Sequence, residues 1–205
     1  MTRFKVSDKL IRLIIKPVLF LMCLLPLVFL VVGAINETLG ANPVETMTRE
    51  TGEWTLRFLL LTLLVTPARQ ILSWPWLIKL RRMLGLYVFF YAVMHFLTYV
   101  WFDQFFDFNE IIKDIIKRPF ITVGFAAFIM LIPLALTSTN KMIRRLKKNW
   151  VKLHKLIYVI AVLGVLHFIW LVKADYLAPM IYSLILILLL SCRVYHQRMK
   201  IIKID

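Results

Sequence analysis

Three histidines in this chain lie where an imidazole is costly to keep. His95, His154 and His167 all fall within long apolar runs. An imidazole in hydrocarbon is unfavourable unless something binds it. Spacing sorts the three. His95 follows the basic residue Arg82 by 13 positions, and His167 follows Lys152 by 15. On helices rising from the same membrane face at about 1.5 Å per residue, both rings lie about 20 Å deep. Two imidazoles at one depth on neighbouring parallel helices can each give a nitrogen to one axial position of a haem iron, from opposite faces. Bis-histidine ligation leaves no open iron position, so such a haem carries electrons rather than activating oxygen. His154 lies about 20 Å lower on the helix of His167, where a second haem would complete a wire across the bilayer. Two features count against that second centre. On an ideal helix, thirteen residues leave His154 about 140° away from His167. At its level the neighbouring run supplies only Arg81 and Arg82. His196 follows the last apolar run among basic residues and reads as solvated.

Other chemistries fit less well. A lone membrane histidine often makes only an interhelical hydrogen bond, but that does not require two at matched depth. A histidine-dependent proton or ion transporter is the main alternative. Such a path relies on membrane-embedded carboxylates, and no Asp or Glu lies in the core of any apolar run. A plain membrane anchor for a partner would need no histidine at all. There is no glycine-rich phosphate loop, no HExxH and no nucleophile elbow.

The elements that must position these residues are legible from composition. The chain has 205 residues, of which 61% are hydrophobic; a soluble domain carries about 45–50%. Its mean hydropathy is +0.80. The net charge of +15 does not point to nucleic acid, because the basic residues cluster between apolar runs, as in the cytoplasmic loops of membrane proteins. Cys23 and Cys192 lie within apolar runs without a CxxC and read as packing residues. Six runs stand out, at approximately 14–35, 56–72, 84–101, 120–136, 151–172 and 177–192. Most approach the ~20 residues that cross a bilayer. The second is weakest, with Arg57 early and Pro67 late. The first is too long for a signal-peptide core and reads as an uncleaved span. No internal repeat is evident, and the longest loop, about Asn36 to Glu53, is polar and short. The reading is a single transmembrane domain over 1–205.

Orientation follows from charge. Basic residues gather at the N-terminus, after the second run (Arg69, Lys79, Arg81, Arg82), after the fourth (Lys141, Arg144, Arg145, Lys147, Lys148) and in the tail. The other loops hold nearly all the acids. The positive-inside rule then predicts an all-α integral membrane protein, a bundle of six transmembrane helices with both termini cytoplasmic. All six tryptophans fall near span ends, as interfacial residues do.

Several stretches carry a family resemblance. RRMLGLYVFFYAVMHFLTY (Arg81–Tyr99), KRPFITVGFAAFIMLIPLALTST (Lys117–Thr139) and NWVKLHKLIYVIAVLGVLH (Asn149–His167) resemble the ferric-reductase-type transmembrane domain. With GAINETLGANPVETMTRETGEWTLRFLLLTLLVTPARQ (Gly33–Gln70), they are similar to the haem-binding membrane subunits of bacterial systems that repair methionine sulfoxide in proteins. The resemblance implies b-type haem, one or two, with His95, His154 and His167 as axial ligands to iron. The wider family pairs four histidines, and this chain offers three in the matching spans. It further implies FMN, a place in the bacterial inner (cytoplasmic) membrane, and electrons from the quinone pool or a cytosolic flavin reductase. The acceptor it implies is a periplasmic molybdopterin-dependent methionine sulfoxide reductase, bound as a heterodimer. This chain would then be the redox subunit and not the catalytic one. Arg81 and Arg82, and equally Arg144 and Arg145, can pair with a haem propionate or the FMN phosphate, or serve only as positive-inside anchors.

Overall fold

In hydrocarbon every backbone polar group needs an internal partner, so long apolar runs fold as helices. The computed structural model describes residues 6–202 and has no strand among the described residues. We number its helices α1 (Asp8–Ile35), α2 (Pro43–Ile71), α3 (Arg81–Asp103), α4 (Phe108–Lys117), α5 (Pro119–Leu136), α6 (Asn140–Leu146), α7 (Lys148–Leu171) and α8 (Leu177–Ile202). Helices α1, α3, α5 and α7, and α8 over Leu177–His196, are long and apolar enough to cross a membrane.

The second expected span corresponds to α2, which differs from the other five in composition. Arg57 and Arg69 lower its hydropathy, yet Leu56, Phe58, Leu59, Leu60, Leu63 and Val65 are all buried. A helix buried on most sides faces protein, so it does not need the lipid-facing apolar surface that the other five carry. On α1, by contrast, Leu13, Leu21, Met22 and Phe29 are exposed.

Helix α2 also starts earlier than hydropathy suggests. Asn42 caps it by accepting from the Glu45 N–H, and Pro43 occupies the first turn, where its missing N–H costs nothing. The segment Pro43–Glu53, expected within a loop, is therefore helical. A second correction concerns α4. The acidic loop expected there contains a helix capped by Asp107, whose carboxylate accepts from the Asn109 and Glu110 N–H groups. Phe108, Ile111, Ile112, Ile115 and Ile116 recur at helical spacing. Ile111 is buried while Phe108, Ile112 and Ile116 are exposed, the pattern of a helix lying in the membrane interface.

Helices α2 and α3 pack along one another, as do α5 and α7; α3 meets α5, and α8 closes against α2 and α7. Two tyrosines of α3 clip α1 onto this bundle. Pro26 interrupts α1 by removing one N–H. There the fully buried Tyr91 hydroxyl donates to the Cys23 carbonyl at 2.8 Å and accepts from the Leu27 N–H at 3.2 Å. It thus inserts between two groups that would otherwise bond each other. One turn away, Tyr87 donates to the Phe20 carbonyl at 2.8 Å.

Candidate histidine site between the two helix pairs

Each of the two helix pairs delivers one histidine. His95 stands on α3 and His167 on α7, and their ring centroids lie 6.1 Å apart with planes 74° apart. The two rings meet across the contact between α3 and α5.

Each ring is fixed in the same way. His95 Nδ1 lies 2.8 Å from the Thr48 carbonyl on α2, and His167 Nδ1 lies 2.7 Å from the Phe120 carbonyl on α5. A carbonyl only accepts, so Nδ1 donates and carries the proton. The lone pair is then on Nε2, free to bind a metal. Metal-binding histidines are commonly oriented by this arrangement.

A helical carbonyl is normally covered by the residue four positions on, whose N–H it accepts. Here that residue is glycine in both cases, Gly52 after Thr48 and Gly124 after Phe120. A Cβ on Gly52 would come within 2.9 Å of His95 Cε1, and one on Gly124 within 2.7 Å of His167 Nδ1. The missing side chains are what let each imidazole reach the helix backbone. Both carbonyls precede their histidine by 47 residues. The two helix pairs therefore repeat one device, although the sequence shows no repeat.

The site fits a haem. Two metal–imidazole bonds of about 2 Å plus the two ring radii give a centroid separation of about 6 Å, close to that found. No group of three or more His, Cys, Asp or Glu stands ready to hold a bare metal ion among the described residues. Two neighbouring imidazoles, each with its Nδ1 proton committed elsewhere, suit an iron whose other positions a macrocycle fills. The surroundings are apolar and aromatic: Phe96 stacks on Phe128 at 4.9 Å and tilts against Phe125 at 6.0 Å, and Phe120 lies 6.3 Å from His167.

His154 is not brought to this pair. It lies at a turn within α7, between the helical segments Lys148–Leu153 and Leu156–Leu171, so the ideal-helix angle to His167 does not apply. Its ring stacks on Trp150 at 3.8 Å, and its Nδ1 faces the Trp150 carbonyl at 3.1 Å. Its Nε2 is buried without a hydrogen-bond partner among the described residues. Arg81 is half-buried and near enough for its charge to act on His154. Arg82 is exposed and donates to Asn140 at 2.6 Å, and Arg144 and Arg145 are exposed on α6. His196 is half-buried, its Nδ1 2.7 Å from the Cys192 carbonyl.

Sequence reasoning missed Gly52, Gly124 and the two carbonyls. The equal 47-residue offset was the only available signal, and it becomes meaningful once the pairing of α2 with α3 and α5 with α7 is known.

Comparison with known proteins identifies the family of the chain. Residues 51–165 match the family described as ferric reductase like transmembrane component. Three relatives carry the name protein-methionine-sulfoxide reductase heme-binding subunit MsrQ. The protein from Herminiimonas arsenicoxydans is 55% identical over 89% of this chain and 85% of its own. Those from Azospira oryzae and Polaromonas naphthalenivorans are 53% and 50% identical over 89% of this chain, and over 79% and 84% of theirs. No solved structure matches.

Proposed function

Because the chain belongs to the ferric reductase like transmembrane family, and within it to the MsrQ haem-binding subunits, we propose that it carries electrons across the bacterial inner membrane to a periplasmic methionine sulfoxide reductase. The observation that carries this reading is the adjacent pair His95 and His167, each with its Nδ1 proton committed to a carbonyl. In this reading α2 is the sixth span and both termini face the cytoplasm, with the basic loops inside. The donor is the quinone pool or a cytosolic flavin reductase, and FMN is a second cofactor. The acceptor is a molybdopterin enzyme forming a heterodimer with this chain through the acidic outer loops. The chain is the redox subunit and makes no bond to the final substrate.

The chain's residues have defined tasks. Haem bound between His95 and His167 supplies a reversible one-electron iron couple. Thr48 and Phe120 hold the two imidazoles in the tautomer that presents Nε2, and Gly52 and Gly124 leave the space for it. The Nε2 atoms of His95 and His167 would both hold the iron, leaving it to carry electrons rather than to bind oxygen. The phenylalanines on α3 and α5 exclude water. His154 is the ligand available to a second haem, nearer the cytoplasm.

The test is the visible spectrum of the purified protein, oxidised and dithionite-reduced, with His95→Ala and His167→Ala beside it. Sharp bands of a six-coordinate b haem, lost in each variant while the helices still insert, are expected. Full haem retention in both variants refutes the assignment.

A further inference from the structure

At the His154 end of the bundle, Arg193 of α8 and Tyr158 of α7 bond each other, Arg81 of α3 lies within electrostatic reach of both, and Arg69 of α2 lies within reach of Arg81. Arg193 of α8 reaches across to α2 and donates from Nη2 to the Leu63 carbonyl at 2.9 Å. Its Nη1 donates to the Tyr158 hydroxyl of α7, and its guanidinium carbon lies 5.1 Å from the Tyr158 ring centroid. Arg81 of α3 lies within electrostatic reach of Arg193, of Tyr158 and of Arg69 on α2. All four side chains are half-buried. Arg81 also acts on His154.

Among the described residues no carboxylate lies within ion-pair distance of this cluster. Among the described residues, the carboxylates within ion-pair distance of a cation serve Arg57, Lys79, Lys113 and Arg118. None serves Arg69, Arg81 or Arg193. Three like charges gathered between helices repel, and each has lost part of its hydration. Surface anchors have no such problem, because they point into water, as Arg82, Arg144 and Arg145 do. Polar atoms nearby are also unmatched. Arg193 Nε and Thr66 Oγ1 are buried without partners, and Thr66 lies one turn from both Leu63 and Arg69 on α2. Guanidinium forks match the planar or tetrahedral oxygens of carboxylate and phosphate, bonding them two at a time.

We propose that Arg69, Arg81 and Arg193, with the Tyr158 hydroxyl, bind the oxyanion of a redox cofactor beside His154. The group is either the phosphate of FMN or the propionate carboxylates of a second haem. Arg81 also explains why α3 offers no histidine opposite His154: a cation that holds the cofactor's charge occupies that level. The inference rests on the electron-transfer reading above for the presence of a cofactor, and on the arginine cluster for its place.

The experiment uses the full chain in detergent, with Arg69→Gln, Arg81→Gln and the charge-keeping Arg193→Lys. Haem is counted as pyridine haemochrome, FMN by fluorescence after acid release, and co-purified phospholipid as phosphorus. The low-spin signal assigned to His95 and His167 reports on folding. The expected result is a drop of about tenfold in the occupancy of one cofactor in Arg69→Gln and Arg81→Gln, with that low-spin signal intact. Loss of FMN alone identifies a phosphate site; loss of one haem alone identifies a carboxylate site. Unchanged FMN and haem in both glutamine variants overturns the proposal, as does a change confined to phospholipid. A wild-type protein lacking haem refutes the electron-transfer reading itself, which separates the two failures.

Discussion

Replacing Gly124 by alanine tests the histidine site without touching a proposed ligand. The new Cβ would lie 2.7 Å from His167 Nδ1 and 2.9 Å from Cε1, where ordinary contact begins at 3.4 Å. The ring must therefore withdraw by about 0.7 Å. It cannot do so freely, because Nδ1 is held 2.7 Å from the Phe120 carbonyl, and withdrawal takes that distance beyond about 3.2 Å, the upper end for a good N–H···O bond. If the ring withdraws, losing the bond costs about 0.5–1.5 kcal/mol; if it stays, overpacking costs about 1–3 kcal/mol instead. Partners that orient a metal-binding histidine are worth about 10–100-fold in affinity. The expected outcome is haem retention weaker by that factor, with a shifted reduced band, measured by haem titration and difference spectra. Gly52→Ala should act in the same direction, with its Cβ 2.9 Å from His95 Cε1. Gly85→Ala is the control. Its nearest neighbour is Thr62 Cγ2 at 3.9 Å, so it should keep full haem and gain about 0.8–1 kcal/mol of helix propensity. Wild-type haem content and band positions in Gly124→Ala would refute the reasoning.

Three further outcomes follow from the contacts described. Tyr91→Phe removes the hydroxyl between Cys23 and Leu27 and should lower stability by about 1–2 kcal/mol, seen as a reduced Tm with an unchanged spectrum; an unchanged Tm would show that the α1 ladder closes on its own. His154→Ala should leave the low-spin signal of His95 and His167 intact, because about 20 Å of helix separates it from His167; loss of that signal on a folded protein would contradict the separation. Asp107→Ala removes the cap of α4 and should cost about 1 kcal/mol locally, measured as faster amide exchange across Phe108–Lys117 with α3 unaffected; uniform protection would mean that the interface, not the cap, holds this helix.

The sequence made the spans and the matched depth of His95 and His167 legible because both depend on counts along the chain: apolar length and residue rise. It concealed what depends on neighbours. Pro43–Glu53 reads as a loop because its residues are polar, yet it is the segment of α2 that offers the Thr48 carbonyl. Arg57 and Pro67 made the second run the weakest on hydropathy, although Leu56, Phe58, Leu59, Leu60, Leu63 and Val65 of α2 are buried against other helices. Arg193 reads as part of a basic tail because its inward direction appears only once α8 is docked on α2 and α7. The α4 helix was a readable signal, since FNEIIKDIIK has helical periodicity, but the acidic residues around it drew the reading toward a loop. The turn at His154 has no breaker residue to announce it.

The pinning of both imidazoles has a kinetic meaning. When a centre gains or loses an electron, bond lengths and nearby dipoles must rearrange, and the free energy of that rearrangement slows the transfer. His95 and His167 are each tethered to a helix backbone on one edge and fitted over a glycine. Each ring is thereby restrained from swinging or sliding, which in the proposed function would hold as the charge of a haem between them changes by one. The supporting carbonyls belong to helices whose own ladders keep them in place. In the proposed relay, an iron held this way would change charge with little nuclear motion. Gly52 and Gly124 would then contribute to the speed of that relay as well as to its shape.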